Sequence, residues 1–431
     1  MLTDTLEQIR FLPSKRAIYV RVIFAGLAAM VLFKGLRFFE GGLWYGNQTA
    51  DFSAFHIVAQ HIWLDDLDLT YQFSEFSKMQ AVASGGATSF MPWTYPPQFD
   101  LLLAPFGLLP GWAAYSLFTA LTLAAYLMTL RAIAGNNLAQ VLVISFPAIA
   151  ITIACGQNGF LTGALIGLVC LNVERRQMLG QVLAGLALGA MVMKPHLAIV
   201  AGVYMLLTRR WTAIATAAIV VVTSTAVCTL AFGPQIWIAW LGAIKESAGY
   251  LEQGRYPLFR MISAYSSLYK SGLSPAAAFW GQVGVACLAL AAVTLAVLRG
   301  PSHRFSLGVV AIASVMISPY AYDYDLPIVA IGLAMLLPDL FTLASTRERN
   351  TLYGLILLAN SYGLLQSARL AREHVTEEDL QRYFTPAIAG VALVAVLAML
   401  LRLLLRDARP ATAALHGEPA DLLPRHARVM E

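Results

Sequence analysis

The chain has 431 residues, 58% of them hydrophobic and only 12% charged, with a mean hydropathy of +0.67. These values exclude an ordinary soluble domain and describe a polytopic membrane protein. The formal charge of +5 arises from bases scattered in pairs at the ends of apolar runs, which is a topology signal and not a footprint for DNA or RNA.

The first apolar run, 17–36, is about long enough to cross a bilayer and no small-residue cleavage site follows it, so it reads as a retained span with a cytoplasmic N-terminus. Further helical runs are predicted at 111–130, 138–155, 159–173, 179–193, 195–208, 211–231, 276–298, 305–318, 325–341, 351–366 and 386–406, twelve with the first. A shorter run, 98–109, is bounded by Pro96, Pro97 and Pro110 and is predicted to be re-entrant or interfacial. Cys155, Cys170, Cys228 and Cys287 each lie alone in an apolar segment, without CxxC spacing, and are predicted to be packed thiols. The expected fold is an all-α polytopic membrane domain over residues 1–410, with 411–431 a disordered cytoplasmic tail.

Orientation follows from the bases in the short loops. If twelve spans alternate from a cytoplasmic N-terminus, the inner loops hold Arg131, Arg175, Arg176, Arg209, Arg210, Arg299, Arg304, Arg347 and Arg349, and the outer ones only Lys194. Making 98–109 a full span would invert every later loop and destroy this nine-to-one bias. The expectation is a plasma-membrane protein of the bacterial inner-membrane type, both termini inside, its polar and aromatic segments gathered outside.

The first outer loop, 37–97, carries Glu40, Asp51, Asp65, Asp66, Asp68 and Glu75 against Arg37 and Lys78. Apolar residues after Asp51 (Phe52, Phe55, Ala59, Ile62, Trp63) and again at Phe73, Phe76, Met79 and Val82 keep near-helical spacing. Both segments are predicted to be amphipathic helices lying on the membrane and roofing a cavity at headgroup level.

Asp51, at the edge of the first such helix, reads either as a helix cap or as a base able to reach an acceptor hydroxyl; Asp65, Asp66 and Asp68 look like a solvated turn. In MKPH, Pro195 breaks the helix beside Lys194 and His196; Lys194 either snorkels to the headgroups or holds a phosphate leaving group. Arg255 and Arg260 are the other outer cations, for phosphate or for anionic headgroups. Gln157 and Asn158 form a polar break between spans that reads as a turn or as a cavity lining, and Tyr95 closes the first loop in WTYPP. In YAYDYD, Asp323 and Asp325 amid three tyrosines, Tyr322 among them, suggest a sugar platform, because tyrosine offers a stacking face and a hydroxyl; the two carboxylates are also an alternative divalent-cation site, for which no other outer acid has the spacing.

TADFSAFHIVAQ, WTYPPQFDLLLAPFGLLP, GQNGFLTGALIG, KPHLAIVAGVYMLLTRRW and SPYAYDYDL, in that order over about residues 45–340, resemble glycosyltransferase family 87, whose characterised type uses polyprenyl-phosphate mannose. The resemblance implies a GT-C fold, an inverting mechanism, a lipid-linked sugar donor, no cofactor or required metal, and an aspartate base in the first outer loop, which Asp51 matches. Mycobacterial members of the family carry histidine after the SP of the last motif, in a form like SPxSWxHH. Here tyrosine and aspartate stand there, so the donor-binding histidine is unassigned, with His196 as a substitute. The reading is a transferase that moves mannose or another hexose from a polyprenyl-phosphate donor to a lipid or glycan acceptor among the membrane lipids. A transporter or lipid flippase is the alternative, disfavoured because no internal repeat is found and the ionisable residues lie at span ends.

Overall fold

The computed structural model describes residues 13–41, 51–84, 86, 90–373, 375, 383 and 385–407. The proposed tail, 411–431, and residues 42–50 of the first outer loop lie outside them. The chain forms α1 Pro13–Gly41, α2 Phe52–Trp63, α3 Phe73–Ser84, α4 Pro97–Leu103, α5 Gly111–Ala134, α6 Leu138–Cys155, α7 Gly159–Asn172, α8 Met178–Ala190, α9 Pro195–Leu207 and α10 Trp211–Phe232. It continues with α11 Gln235–Glu252, α12 Ala264–Lys270, α13 Pro275–Arg299, α14 His303–Ser314, α15 Pro327–Leu343, α16 Thr346–Arg372 and α17 Ala389–Asp407. Each of the twelve predicted apolar runs is occupied by a helix. Among the described residues six stretches are long and apolar enough to cross a membrane, Arg16–Gly41, Gly111–Cys155, Trp211–Phe232, Pro275–Arg299, Asp323–Leu343 and Ala389–Arg406, with α7, α8 and α9 as shorter apolar helices.

The helix starts have local causes. Proline at the first helical position opens α4, α9, α13 and α15, where its missing N–H costs nothing. Serine side chains cap α12, α13, α14 and α16, the last with a reciprocal Ser345–Glu348 box. Segment 98–109 is no span: α4 passes directly into a 3-10 turn, Ala104–Leu108, and packs so closely on α2 that a side chain at Gly107 would strike the carbonyl of Ala59.

Polar contacts sort the loops into two ends. At one, Glu174 binds Arg210 at 2.5 Å and His303 at 3.4 Å, Arg304 donates to the carbonyl of Ile133 at 3.0 Å, and Ser302 donates to Asp339 at 2.7 Å. These are the arginine-bearing loops that the charge count grouped together. At the other end lie Asp51, the 156–158 break, Lys194, Arg260 and the 320–325 segment.

Two expectations need correction. Helix α2 is not laid on the membrane by one face, because Phe52 through Ala59 are all buried. Phe55 is ringed by Trp93, Tyr95, Phe99 and Phe118, so α2 is the core of an aromatic cluster with the 93–99 segment and α5. On the apolar face predicted for α3, Phe76 is buried and Val82 is 84% exposed. The interval 232–275, left without elements by the sequence reading, contains α11 and α12. Helix α11 exposes Ile238, Leu241 and Ile244 and buries Ile236 and Ala243, which is the two-faced pattern of an interfacial helix.

Candidate active site

Two backbone devices assemble the site. Helix α6 ends at Gly156, whose φ of +68° an L side chain rarely adopts, and a Cβ there would sit 2.7 Å from Cβ of Phe52 and 2.9 Å from the Tyr115 ring. At Gly159 a Cβ would lie 1.7 Å from the carbonyl oxygen of Tyr324. The two glycines thus wedge Gln157 and Asn158 between the start of α2 and the 3-10 turn Asp323–Asp325. The second device is a single antiparallel bridge between Met261 and Tyr322, with Ile262 N–H donating to the Ala321 carbonyl at 2.9 Å. It sets Arg260 beside Asp323.

Asp51 precedes α2 but does not cap it: its side chain makes no capping bond. The carboxylate turns instead to Gln157, whose Nε2 donates to Oδ2 at 3.3 Å, and to Arg260, whose Nη1 lies 3.9 Å from the same oxygen. The Tyr95 hydroxyl donates to Oε1 of Gln157 at 3.1 Å, which fixes the amide so that its N–H₂ faces Asp51. Asp51 keeps 20% side-chain exposure.

The other two carboxylates are spent. Asp323, 1% exposed, accepts Nε and Nη2 of Arg260 at 3.1 and 3.0 Å. Asp325 accepts Nζ of Lys194 at 2.7 Å, with side-chain exposures of 1% and 7%, and its other oxygen accepts the Tyr322 N–H at 3.1 Å. Burial works against the charge on Arg260, but the Asp323 carboxylate, with Cys155 and Asp51, outweighs it and holds the guanidinium well above its ordinary pKa. Lys194 is therefore enclosed and paired, not a residue reaching for the headgroups.

Aromatic faces complete the wall. Tyr322 and Tyr324 stack at 5.1 Å with planes 10° apart, and Lys194 lies 4.8 Å from the Tyr324 ring and 5.7 Å from that of Tyr95. Asn158 is fully buried, and Nε2 of His196 has no hydrogen-bond partner among the described residues. Arg255 is elsewhere, seated over Phe90 at 4.5 Å, Tyr250 at 4.6 Å and Phe73 at 5.7 Å. Among the described residues no group of three His, Cys, Asp or Glu is placed to hold a metal ion.

The structure thus joins Asp51, Tyr95, Gln157, Lys194, Arg260, Tyr322 and Asp323, and sets Arg255 apart. Sequence reasoning placed Asp325 beside Asp323 in the platform but did not pair it with Lys194, and it gave no site role to Cys155, whose Sγ accepts Nη2 of Arg260 at 3.0 Å. The available signal was the spacing of YDYD against two isolated cations. Chemically, the cluster offers one open carboxylate backed by a fixed amide, able to take a proton, and beside it a guanidinium able to face negative charge.

A model of glycosyltransferase family 87 matches residues 93–319, which include Tyr95, Gln157, Lys194 and Arg260. Among solved structures, the chain is similar to ArnT from Cupriavidus metallidurans, crystallised bound to undecaprenyl phosphate, at 17% identity over 82% of this chain and 76% of that one, with a TM-score of 0.34. A superposition this loose transfers neither a site nor a ligand. No curated protein matches the chain.

Proposed function

The chain belongs to glycosyltransferase family 87, and we propose that this membrane glycosyltransferase moves mannose or another hexose from a polyprenyl-phosphate carrier to a hydroxyl of a lipid or glycan acceptor, inverting the anomeric carbon. Asp51 removes the acceptor's proton, and the freed oxygen attacks the anomeric carbon opposite the phosphate. The bond from that carbon to the phosphate oxygen breaks, and the phosphate leaves with its electron pair. Arg260, forked on Asp323, faces the charge that develops. Lys194 shapes the aromatic wall on which the hexose stacks. The working face is the outer one, opposite the arginine-bearing loops.

One observation carries the assignment of the base. Of three clustered carboxylates, Asp51 alone is open, at 20% exposure against 1% for Asp323 and Asp325, and among the described residues it meets no cation closer than 3.9 Å. A general base must reach the proton it takes. The family match also favours an enzyme over the transporter or flippase alternative.

Asp51→Asn tests the reading cleanly, because no capping bond is lost with the charge. Turnover of a polyprenyl-phosphate hexose by the purified variant is expected to fall about 10²- to 10⁴-fold, the usual worth of a general base, with unchanged detergent stability. Wild-type turnover in a folded Asp51→Asn protein would remove the base assignment.

A further inference from the structure

Helix α1 lies at the edge of the bundle and turns Leu32, Phe33 and Leu36 outward, at 64%, 64% and 52% exposure. Its inward stripe is Leu27, Val31 and Phe38, at 1%, 8% and 5%. Lys34 stands three residues after Val31 and four before Phe38, so it belongs to that inward stripe, where an apolar residue is the rule. A lysine that merely reached for the headgroups would sit on the lipid face. Its ammonium lies 4.9 Å above the Phe38 ring. Phe38 meets Tyr115 edge-on at 4.8 Å, and Tyr115 meets Phe52, the neighbour of Asp51, at 5.6 Å. Cys155, Arg37 and Asp51 are the ionisable groups within its electrostatic reach.

Three other cations at this end are engaged: Arg260 with Asp323, Lys194 with Asp325, Arg255 with three aromatic rings. Lys34 has no carboxylate within ion-pair distance among the described residues, although it is half-buried beside a cluster of them. An ionisable group kept on the protein-facing side of a membrane helix is expensive unless it meets a counter-charge. We infer that Lys34 holds a lipid-borne phosphate, entering between α1 and the Asp51 cluster. The inference rests on the transferase reading only for the identity of that lipid, the departing polyprenyl phosphate. A phosphate at that point would have Lys34 on the membrane side and Arg260 on the protein side.

The test uses the full chain in nanodiscs of neutral lipid and titrates polyprenyl monophosphate, uncharged polyprenol and phosphatidylglycerol. Lys34→Gln should weaken polyprenyl monophosphate binding roughly tenfold or more, the loss of one charge-assisted contact, while Lys34→Arg stays within about threefold of wild type. Polyprenol should bind all three proteins alike. Tight phosphate binding by a folded Lys34→Gln protein overturns the inference, as does equal weakening by the Arg variant. Competition by polyprenyl monophosphate alone identifies the donor lipid, and equal competition by phosphatidylglycerol identifies a headgroup; the lysine contact stands in both. A protein that binds through Lys34 yet transfers no sugar would refute the transferase reading and leave this site in place.

Discussion

Arg260 grips Asp323 at two points, 3.1 Å from Nε and 3.0 Å from Nη2, and the grip leaves Nη1 turned toward Asp51 at 3.9 Å. One planar fork therefore sets the distance between the open carboxylate and the nearest positive charge. Sixty-three residues separate Arg260 from Asp323 along the chain, and the Met261–Tyr322 bridge beside them makes the pairing possible.

Arg260→Lys keeps the charge and loses the fork. Lysine cannot satisfy both oxygens of Asp323 and also face Asp51. We expect kcat/KM to drop about 10- to 100-fold, the worth of one charged hydrogen bond, with thermal stability only slightly reduced. Equal kcat/KM would show that the charge alone suffices. Arg260→Ala is the poorer test, since it strands a buried Asp323.

Lys194 and Asp325 form the most enclosed ion pair of the site. Removing either partner alone should cost about 3–5 kcal/mol of stability, because the survivor is a buried unpaired charge. Lys194→Met combined with Asp325→Leu should recover most of that loss in a thermal-shift assay. If the pair only supports the Tyr324 wall, the double variant also regains turnover. Stability without turnover would assign the ammonium a direct part in handling the substrate.

Asp100 supplies a pH test outside the spans. Its carboxyl is fully buried, accepting the Tyr71 hydroxyl at 2.5 Å and the Trp93 indole at 3.0 Å. Burial raises its pKa from 3.8 to about 8, against the pull of those two donors. The folded state therefore keeps a proton that the unfolded state has released, and this group's contribution to stability is full below about 4, falls as pH rises to about 8, and is level above that. Melting temperature in detergent should decline across that window in the wild type, and less steeply in Asp100→Asn. Parallel profiles would mean that Asp100 is already ionised at acid pH.

Orientation can be read with two cysteines in a Cys287→Ser background, the other native thiols being buried. A membrane-impermeant maleimide applied to intact cells should label Gln253→Cys, at the end bearing the site, and spare Arg176→Cys until the cells are opened. The opposite result would place the active site in the cytoplasm.

Apolar runs and charged loops were legible because each is a local property: a helix buried in lipid announces itself by composition, and arginine pairs announce its ends. The non-spanning character of 98–109 followed from the same counting. Asp51, Gln157, Lys194, Arg260 and Asp323 were found as isolated polar residues at helix breaks. Their pairing was not legible, since Lys194 meets Asp325 across 131 residues and no local pattern records that. Arg255 looked equivalent to Arg260 for the same reason, until Phe73 and Phe90 arrived from the other side of the chain. Helix α2 was misjudged because helical spacing of apolar residues describes one face only, and here aromatic rings cover the other face too. Lys34 escaped notice inside an otherwise apolar run, although its register with Leu27, Val31 and Phe38 could have been read.

Helices α7, α8 and α9 contain 14, 13 and 13 residues. At about 1.5 Å per residue each is roughly 20 Å long, some 10 Å short of a typical hydrocarbon layer. Two of the interruptions that bound them, 156–158 and Lys194, lie at the end bearing the candidate site, so the deficit falls there. The bilayer must thin around this part of the protein, or the reaction centre must sink below the plane of the surrounding headgroups. On the proposed reading, acyl-chain length is then a control on turnover: a thicker membrane is expected to raise the cost of bringing a lipid phosphate to Asp51, and a thinner one to lower it.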